Sequence, residues 1–413
     1  MSDSSLIQNV DLFLDDKPAV FALRQKALNI LNKTGFPSPK NESWKYENLS
    51  PLLNHNFLVS TDEHICGHDC CGHSSSFSPY IEIKFCHGKL HIEEYNTPQG
   101  ITITPLPLAL YEGEHKQYIF NSFNMEQHPF AALNGRYLEQ GLCIQIDKNT
   151  RLKTPLHIKY NQNNCDNLQL NIHNLIIAEK NTNIDIIEEF TSNTSESYFI
   201  NIVNEFYLKQ DARVTHYKIQ KENLAAYHIA LNAVKVQNNA TYKQYYLANG
   251  AKFSRNENLI NLEQQEAQAE IYSAYTAKKN CLTDITTNIN HKQPHTYSNQ
   301  YAKAVLEDNA VAVFQGKIHI LPNAVKTSGN QLHKALYLND NASLNCKPEL
   351  EIYADDVKCS HGASCGEIDK EQLFYLTSRG IGKQEAIQLL TSAHLNEIIA
   401  LIPNEQIKDL FIS

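Results

Sequence analysis

The sequence predicts a mainly β fold in which a long series of strands lies between two helical ends. Three observations predict it: apolar and polar residues alternate with a period of two, short polar corners recur at near-regular spacing, and no helical pattern occurs from residue 165 to residue 350. At 413 residues the chain is too long for one ordinary core and suits several domains or one elongated repeat fold with appendages.

The first region, residues 1–79, is predicted to begin with a helix. Ala19–Lys33 carries apolar residues at helical spacing, and Gly35 followed by Pro37 predicts where this helix ends. A loop rich in histidine, cysteine and serine follows.

The second region, residues 80–360, is predicted to form strands. Its early corners, marked by Asn181, Asp211, Asn239 and Glu266, are 30, 28 and 27 residues apart. Asparagine and aspartate suit tight corners because they tolerate left-handed backbone, and a small residue after the corner lets the next strand start close by. Repeated strand–corner–strand units indicate a β-solenoid, whereas unevenly spaced hairpins would indicate an antiparallel sandwich. The pattern alone leaves both architectures open. Later corners are predicted at residues 309–310, 323–324, 341–342 and 355–356.

The third region, residues 361–413, changes to helical periodicity. Asp369 followed by Gln372 is a capping-box pattern, a second helix ends before Pro403, and Asn404 is suited to cap a third. Three short amphipathic helices bury little by themselves. They are expected either to fold back on the strands or to present an apolar face to a partner.

Composition and motifs exclude several classes of function. A formal net charge of −9 without a basic cluster argues against nucleic-acid binding. No phosphate-binding Gly-x4-Gly-Lys-Ser/Thr motif or Gly-x-Ser-x-Gly elbow is present, so neither nucleotide hydrolysis nor serine catalysis is expected. The absence of an export signal and of a bilayer-length apolar run, with ten irregularly spaced cysteines expected to be thiols, predicts a cytoplasmic protein away from membranes.

A first group of possible metal ligands lies in the N-terminal loop. Thiols and imidazoles are suitable ligands for zinc or iron, but this spacing is not that of a standard zinc site. The loop therefore either binds a specific metal ion or has no such role. Its candidate ligands are Cys66, His68, Cys70, Cys71 and His73.

A second group comprises Cys359 and His361, where the strand region ends. Two residues apart on an extended segment, they point to the same side. Two side chains do not close a metal site, so they form either half of a site completed by another chain or a buried thiol beside a hydrogen-bonded histidine.

Several segments resemble the SufB/SufD family of the SUF iron–sulfur cluster assembly system. Lys347–Ala363 resembles the family signature over seventeen consecutive residues, and the likeness extends to the whole chain. The chain is more similar to the SufD branch than to SufB, because residues 331–336 lack the Gln-Cys-Asp-Ser run of SufB-like chains. Further similar segments are Trp44–Tyr46, Val313–Ile318, Leu373–Leu376 and Ser378–Ile381.

The resemblance implies a right-handed parallel β-helix with helical N- and C-terminal regions. It implies a scaffold that pairs with SufB at the end of the solenoid, can form a homodimer in isolation and has no catalytic residues. It also implies that no cofactor is permanently bound and that a transient iron–sulfur cluster is shared with SufB at His361, with Cys359 beside it. The C-terminal helices would dock the SufC ATPase through Leu373, Phe374, Leu376, Leu389 and Leu390.

Two alternative functions remain at this point. One is a β-helix enzyme that acts on polysaccharides, which would be expected to display carboxylates along a groove. The other is a stand-alone metal-binding protein that uses the N-terminal cysteine and histidine loop.

Overall fold

A computed structural model of the chain describes residues 6–7, 18–59, 81–86, 89–91, 98–113, 115–138, 140–162 and 167–412. The helices are α1 Pro18–Thr34, α2 Ser50–Leu53, α3 Leu106–Glu112, α4 Pro129–Tyr137, α5 Lys370–Ser378, α6 Lys383–Ile399 and α7 Glu405–Ile412. The strands are β1 Leu58–Val59, β2 Ile81–Cys86, β3 Lys89–His91, β4 Ile101–Pro105, β5 Leu142–Ile146, β6 Leu156–Asn161, β7 Leu168–Ala178, β8 Asn183–Thr191, β9 Phe199–Leu208, β10 Arg213–Lys221, β11 Tyr227–Val236, β12 Thr241–Asn249, β13 Phe253–Leu262, β14 Gln268–Ala277, β15 Leu282–His291, β16 Tyr297–Leu306, β17 Val311–Ile320, β18 Thr327–Tyr337, β19 Ser343–Ile352 and β20 Val357–Glu367.

From β5 onward, successive strands alternate between two sheets. Sheet 1 has the order β19-β17-β15-β13-β11-β9-β7-β5-β4, with β1 beside β7, and sheet 2 has the order β20-β18-β16-β14-β12-β10-β8-β6-β2-β3. Neighbouring strands from β5 to β20 pair in parallel, for example β11 with β13 and β18 with β20. The expected parallel β-helix is therefore confirmed, and the antiparallel sandwich is excluded.

The corners predicted from the sequence are equivalent positions in successive coils. Asn181, Asp211, Asn239 and Glu266 all adopt left-handed backbone, with φ between 52° and 60°. Their side chains also stack, because the Asn239 amide donates to Asp211 at 2.8 Å and the Asn181 amide donates to Asn149 at 2.9 Å. The later corners alternate between the two sides of the solenoid, which explains their shorter spacing.

The space between the sheets combines apolar packing with a buried ladder of asparagines. Asn174, Asn204, Asn232 and Asn258 occupy the same register position of four successive strands in sheet 1. Each of the first three amides donates to the side-chain carbonyl of the next asparagine at 2.9–3.0 Å. Buried amides are tolerated here because the stacking of identical coils supplies their partners.

The N-terminal helices cover the outer face of sheet 1. Leu31, Trp44 and Phe130 pack there with Phe199 and Tyr227 of the sheet. Helices α3 and α4 lie inside the region predicted to be strands. They are only seven and nine residues long, too short for a clear helical period, and each has a proline in its first turn.

Strand β20 continues to Glu367, past residue 360 where the strand region was predicted to end, and α5 begins at Lys370, directly after the predicted cap Asp369. The predicted caps are confirmed: the Asp369 carboxylate accepts from two backbone N–H groups of α5, and Asn404 accepts from two of α7. Helices α6 and α7 fold back on sheet 2, where Ile398 and Phe411 pack with its tyrosines.

The cysteines in the described part of the chain are of two kinds. Five are free thiols, as expected, but Cys86 is disulfide-bonded, so the expectation that every cysteine is a thiol is wrong there. Within these same residues, no helix has the length and apolar character needed to span a bilayer. The cysteines outside disulfides are Cys143, Cys281, Cys346, Cys359 and Cys365.

Candidate functional site

Both sheets end at the same C-terminal coil. Strand β19 is the last strand of sheet 1 and β20 the last of sheet 2, so in the described ranges one edge of each has no strand beside it. Such edges present unpaired N–H and C=O groups to another chain. No residue of β19 or β20 is fully buried, in contrast to the inner strands. The last coil is therefore an open end.

The coil beneath the open end shows which side chains face each other across the interior. Strands β19 and β20 stack in register on β17 and β18. Because the same pattern continues, Leu350 faces Cys359 and Pro348 faces His361 in the last coil; indeed, Leu350 and Cys359 pack in one apolar cluster. The facing pairs in the coil beneath are Ile318 with Gly329, Gly316 with Gln331, and Phe314 with His333.

Cys359 and His361 lie on the same side of β20, as their spacing predicts, and the structure shows that this is the inward side. Cys359 is a half-buried free thiol, and burial raises its pKa despite an opposing backbone hydrogen bond at Gly329. His361 is exposed and makes no hydrogen bond to the described residues. The imidazole nitrogens are therefore accessible from the open end.

Two further thiols share this end, and of these the sequence reasoning missed Cys346. Cys346 is half-buried, and burial together with the nearby Cys365 raises its pKa to about 11. Cys365 is exposed on β20. Alternation with Leu344 and Leu350 would have placed Cys346 on the inward face. A protonated thiol is a poor nucleophile, so a metal ion would have to displace the proton.

No group of three or more His, Cys, Asp or Glu side chains in the described ranges lies close enough to hold a metal ion. Cys359 and His361 thus supply two donors, and a closed site needs donors from elsewhere. The other predicted ligands, Cys66, His68, Cys70, Cys71 and His73, lie outside the described residues.

Helix α5 forms a second exposed feature beside the open end. None of its residues is buried, and Phe374 and Tyr375 are 73% and 57% exposed. Leu373 and Leu376 are half-buried. On α6, Leu389 is 48% exposed and Leu390 is half-buried. Exposed aromatic residues of this size are typical of protein interfaces.

Comparison with known proteins matches both parts of the chain. Residues 160–394 match the family described as SUF system FeS cluster assembly, SufBD core domain, and residues 8–158 match the SufBD protein N-terminal region. A SufBD family iron–sulfur cluster assembly protein of Synechocystis sp. is 30% identical, covering 92% of this chain and 87% of its own. The iron–sulfur cluster assembly protein SufD of Escherichia coli is 28% identical over 93% of this chain and 89% of its own; that of Bacillus subtilis is 24% identical over 95% and 92%.

Proposed function

The chain belongs to the SufBD family of the SUF system, and on this basis we propose that it is a non-catalytic scaffold subunit for iron–sulfur cluster assembly in the cytosol. It pairs with SufB, docks the SufC ATPase and forms a homodimer when alone. Its role in cluster assembly follows from the family, whose membership favours a scaffold over a polysaccharide-active enzyme or a stand-alone metal-binding protein.

The open end is the observation that carries the proposed pairing with SufB. A partner solenoid that ends in the same way could continue the hydrogen bonding of β19 and β20. It would also bring further ligands to Cys359 and His361, which are too few to close a site alone.

The cargo of this site is iron and sulfide rather than a resident cofactor. A neutral imidazole is a competent iron ligand, and His361 is accessible at the edge. Cys359, with its raised pKa, contributes only after losing its proton. The cluster is held transiently between the two subunits and then leaves.

The proposed docking site for SufC comprises α5 and the exposed side of α6. Phe374 and Leu389 are exposed there, whereas Ile398 and Phe411 fasten the following segments to sheet 2. A movement of bound SufC during ATP binding would therefore be transmitted to the solenoid and open the seam with SufB.

Replacing His361→Ala in a chain co-expressed with SufB and SufC tests the site. We expect an intact complex by size-exclusion chromatography without cluster absorbance or bound iron, because the exposed imidazole contributes little to packing. Lys358→Ala, exposed on the same strand, serves as the control and should retain clusters. Cluster assembly at the wild-type rate in the His361 variant would contradict the assigned role.

Ending the chain at Ile368 tests the docking of SufC while leaving β20 complete. SufC should no longer co-purify, whereas SufB should. Because this truncation also uncovers sheet 2, the double variant Phe374→Ser and Tyr375→Ser provides a milder test with α6 and α7 in place. Recovery of SufC at the wild-type ratio with the double variant would place its docking site elsewhere.

A further inference from the structure

One inward column of sheet 2 ends at His361. Its members occupy the same register position on successive strands, from β10 to β20. Side chains in such a column stack at the strand separation of about 4.8 Å, so a glutamine amide reaches an imidazole on the next strand. The column is His216, Gln244, Ile271, Gln300, Gln331 and His361.

The column already contains a bonded pair of these two residue types. The Gln244 amide nitrogen lies 3.2 Å from Nδ1 of His216, its in-register neighbour. The other ring nitrogen of His216 lies 2.8 Å from the Glu188 carboxylate. Nδ1 of this buried imidazole also lies 2.9 Å from the Tyr242 hydroxyl, so each ring nitrogen has fixed partners, and the neighbouring glutamine is one of those of Nδ1.

Gln331 occupies the equivalent place directly beneath His361. Its side chain is 2% exposed, and its Nε2 donates to the Glu349 carbonyl at 3.3 Å. Its Oε1 is buried and has no hydrogen-bond partner among the described residues. This oxygen lies against Gly316, where the Cβ of any other residue would clash with it. The amide therefore has an unused acceptor, and its in-register neighbour His361 has an imidazole without a hydrogen bond to the described residues.

We propose that Gln331 is a positioning residue whose Oε1 accepts the ring N–H of His361. Because Nε2 of Gln331 is committed to Glu349, only the acceptor is free, so the imidazole must donate. The second ring nitrogen then keeps its lone pair for a metal ion, as in metal sites where a carbonyl fixes the ligand's tautomer. Only the metal-binding role of His361 rests on the proposed function.

Nitrogen-15 NMR of ring-labelled histidine in the isolated full-length chain tests this hydrogen bond. The His361 signals are assigned by their loss in His361→Ala. We expect one tautomer in the wild type and comparable populations of both in Gln331→Met, which keeps the shape but removes the acceptor. Gln331→Glu retains an acceptor and should keep one tautomer.

Gly316→Ala provides an independent test that changes neither residue of the pair. The new methyl group displaces the Gln331 carbonyl, and because this is the flexible end of a side chain the fold should survive. The His361 tautomers should again mix. Gln300→Met, one coil below Gln331, is the matched control and should leave them unchanged.

A tautomer mixture at His361 in the wild type, or an unchanged single tautomer in both Gln331→Met and Gly316→Ala, would overturn the positioning role. If Gln331→Met does not fold, Gly316→Ala alone decides. Because these measurements need no partner, their failure is distinct from a failure of cluster assembly in His361→Ala.

Discussion

The two ends of the solenoid are built differently. At the N-terminal end, antiparallel β3 lies beside β2 and antiparallel β4 lies beside β5. At the C-terminal end, β19 and β20 have no further strand on one edge in the described part of the chain. An antiparallel strand interrupts the parallel register and blocks the addition of another coil. A bare parallel edge leaves N–H and C=O groups with which a further strand can pair. Among the described residues, the bare parallel edges that another solenoid could extend lie at the C-terminal end.

A buried ionic cluster shows how the N-terminal region is fastened to the body of the solenoid. Arg255, fully buried on β13, bonds to Asp284 and lies 3.3 Å from carboxylate oxygens of both Glu47 and Glu257. Its guanidinium also stacks on Trp44, with 4.0 Å between the guanidinium carbon and the ring centroid. We call these five residues the clamp. Arg255 of the clamp is buried within the fold, whereas His361 and Cys365 of the last coil are exposed.

The clamp should give the largest effect in this comparison. Arg255→Met leaves its carboxylates buried without their cation, and breaking one side of a buried ion pair typically costs about 3–5 kcal/mol of unfolding free energy. Urea unfolding measures the loss. His361→Ala, at the open end, should change the same quantity by less than about 0.5 kcal/mol. If both variants lose the same unfolding free energy, the clamp does not contribute more to stability than the open end, and this prediction is wrong.

The C-terminal helices allow a second, smaller contrast between attachment and docking. Ile398→Ala removes a residue buried against sheet 2 and should cost about 2–4 kcal/mol. Phe374→Ala on exposed α5 should cost less than about 0.5 kcal/mol and weaken SufC binding instead. Thermal unfolding and co-purification, compared for both variants, separate the two roles. A strongly destabilised Phe374 variant would show that α5 is part of the core.

The clamp also predicts a dependence of stability on pH. Burial, reinforced by the charge of Asp284, raises the pKa of Glu47 from 4.5 to about 9 despite Arg255. The folded state therefore binds more protons than the unfolded state between these values, so unfolding free energy should fall as pH rises from about 4.5 to about 9. Glu47→Gln, which mimics the protonated form, should flatten this slope in urea unfolding. An unchanged slope would mean that another group causes it.

The repeat was predictable because each coil carries its own short sequence pattern of corner residues and alternating strands. Left-handed Asn181, Asp211 and Asn239 recur at the spacing of one coil, and alternation identifies the buried face. The same rule predicted that Cys359 and His361 share one side of their strand, but not that this side faces inward. Helices α3 and α4 were not predictable, because they are short and are stabilised by packing on sheet 1 rather than by their own periodicity.

The site beyond the signature segment could not be predicted because it depends on register between distant strands. Gln331 lies thirty residues before His361, and only the pairing of β18 with β20 makes them neighbours. That Gly316 leaves room for the Gln331 side chain is evident only once β17 and β18 are seen to face each other. The clamp likewise joins Glu47 to Arg255 across more than two hundred residues. Local patterns define faces and corners, but the stacking of coils decides which faces meet.

Thiol reactivity tests whether the open end is the surface that a partner covers, without altering any residue. In the isolated chain, diluted until it is monomeric by size-exclusion chromatography, exposed Cys365 should react quickly with an alkylating reagent. Cys359 and Cys346 should react slowly, because burial raises their pKa values and less of each thiol is ionised. Buried Cys143 should stay unmodified and serves as the internal control. Peptide mass mapping after brief exposure reads each site separately.

In the complex with SufB, Cys365 should become protected while the pattern at Cys143 stays the same. If Cys365 remains as reactive in the complex as in the isolated chain, the partner does not cover the last coil, and the difference between the two ends has another cause.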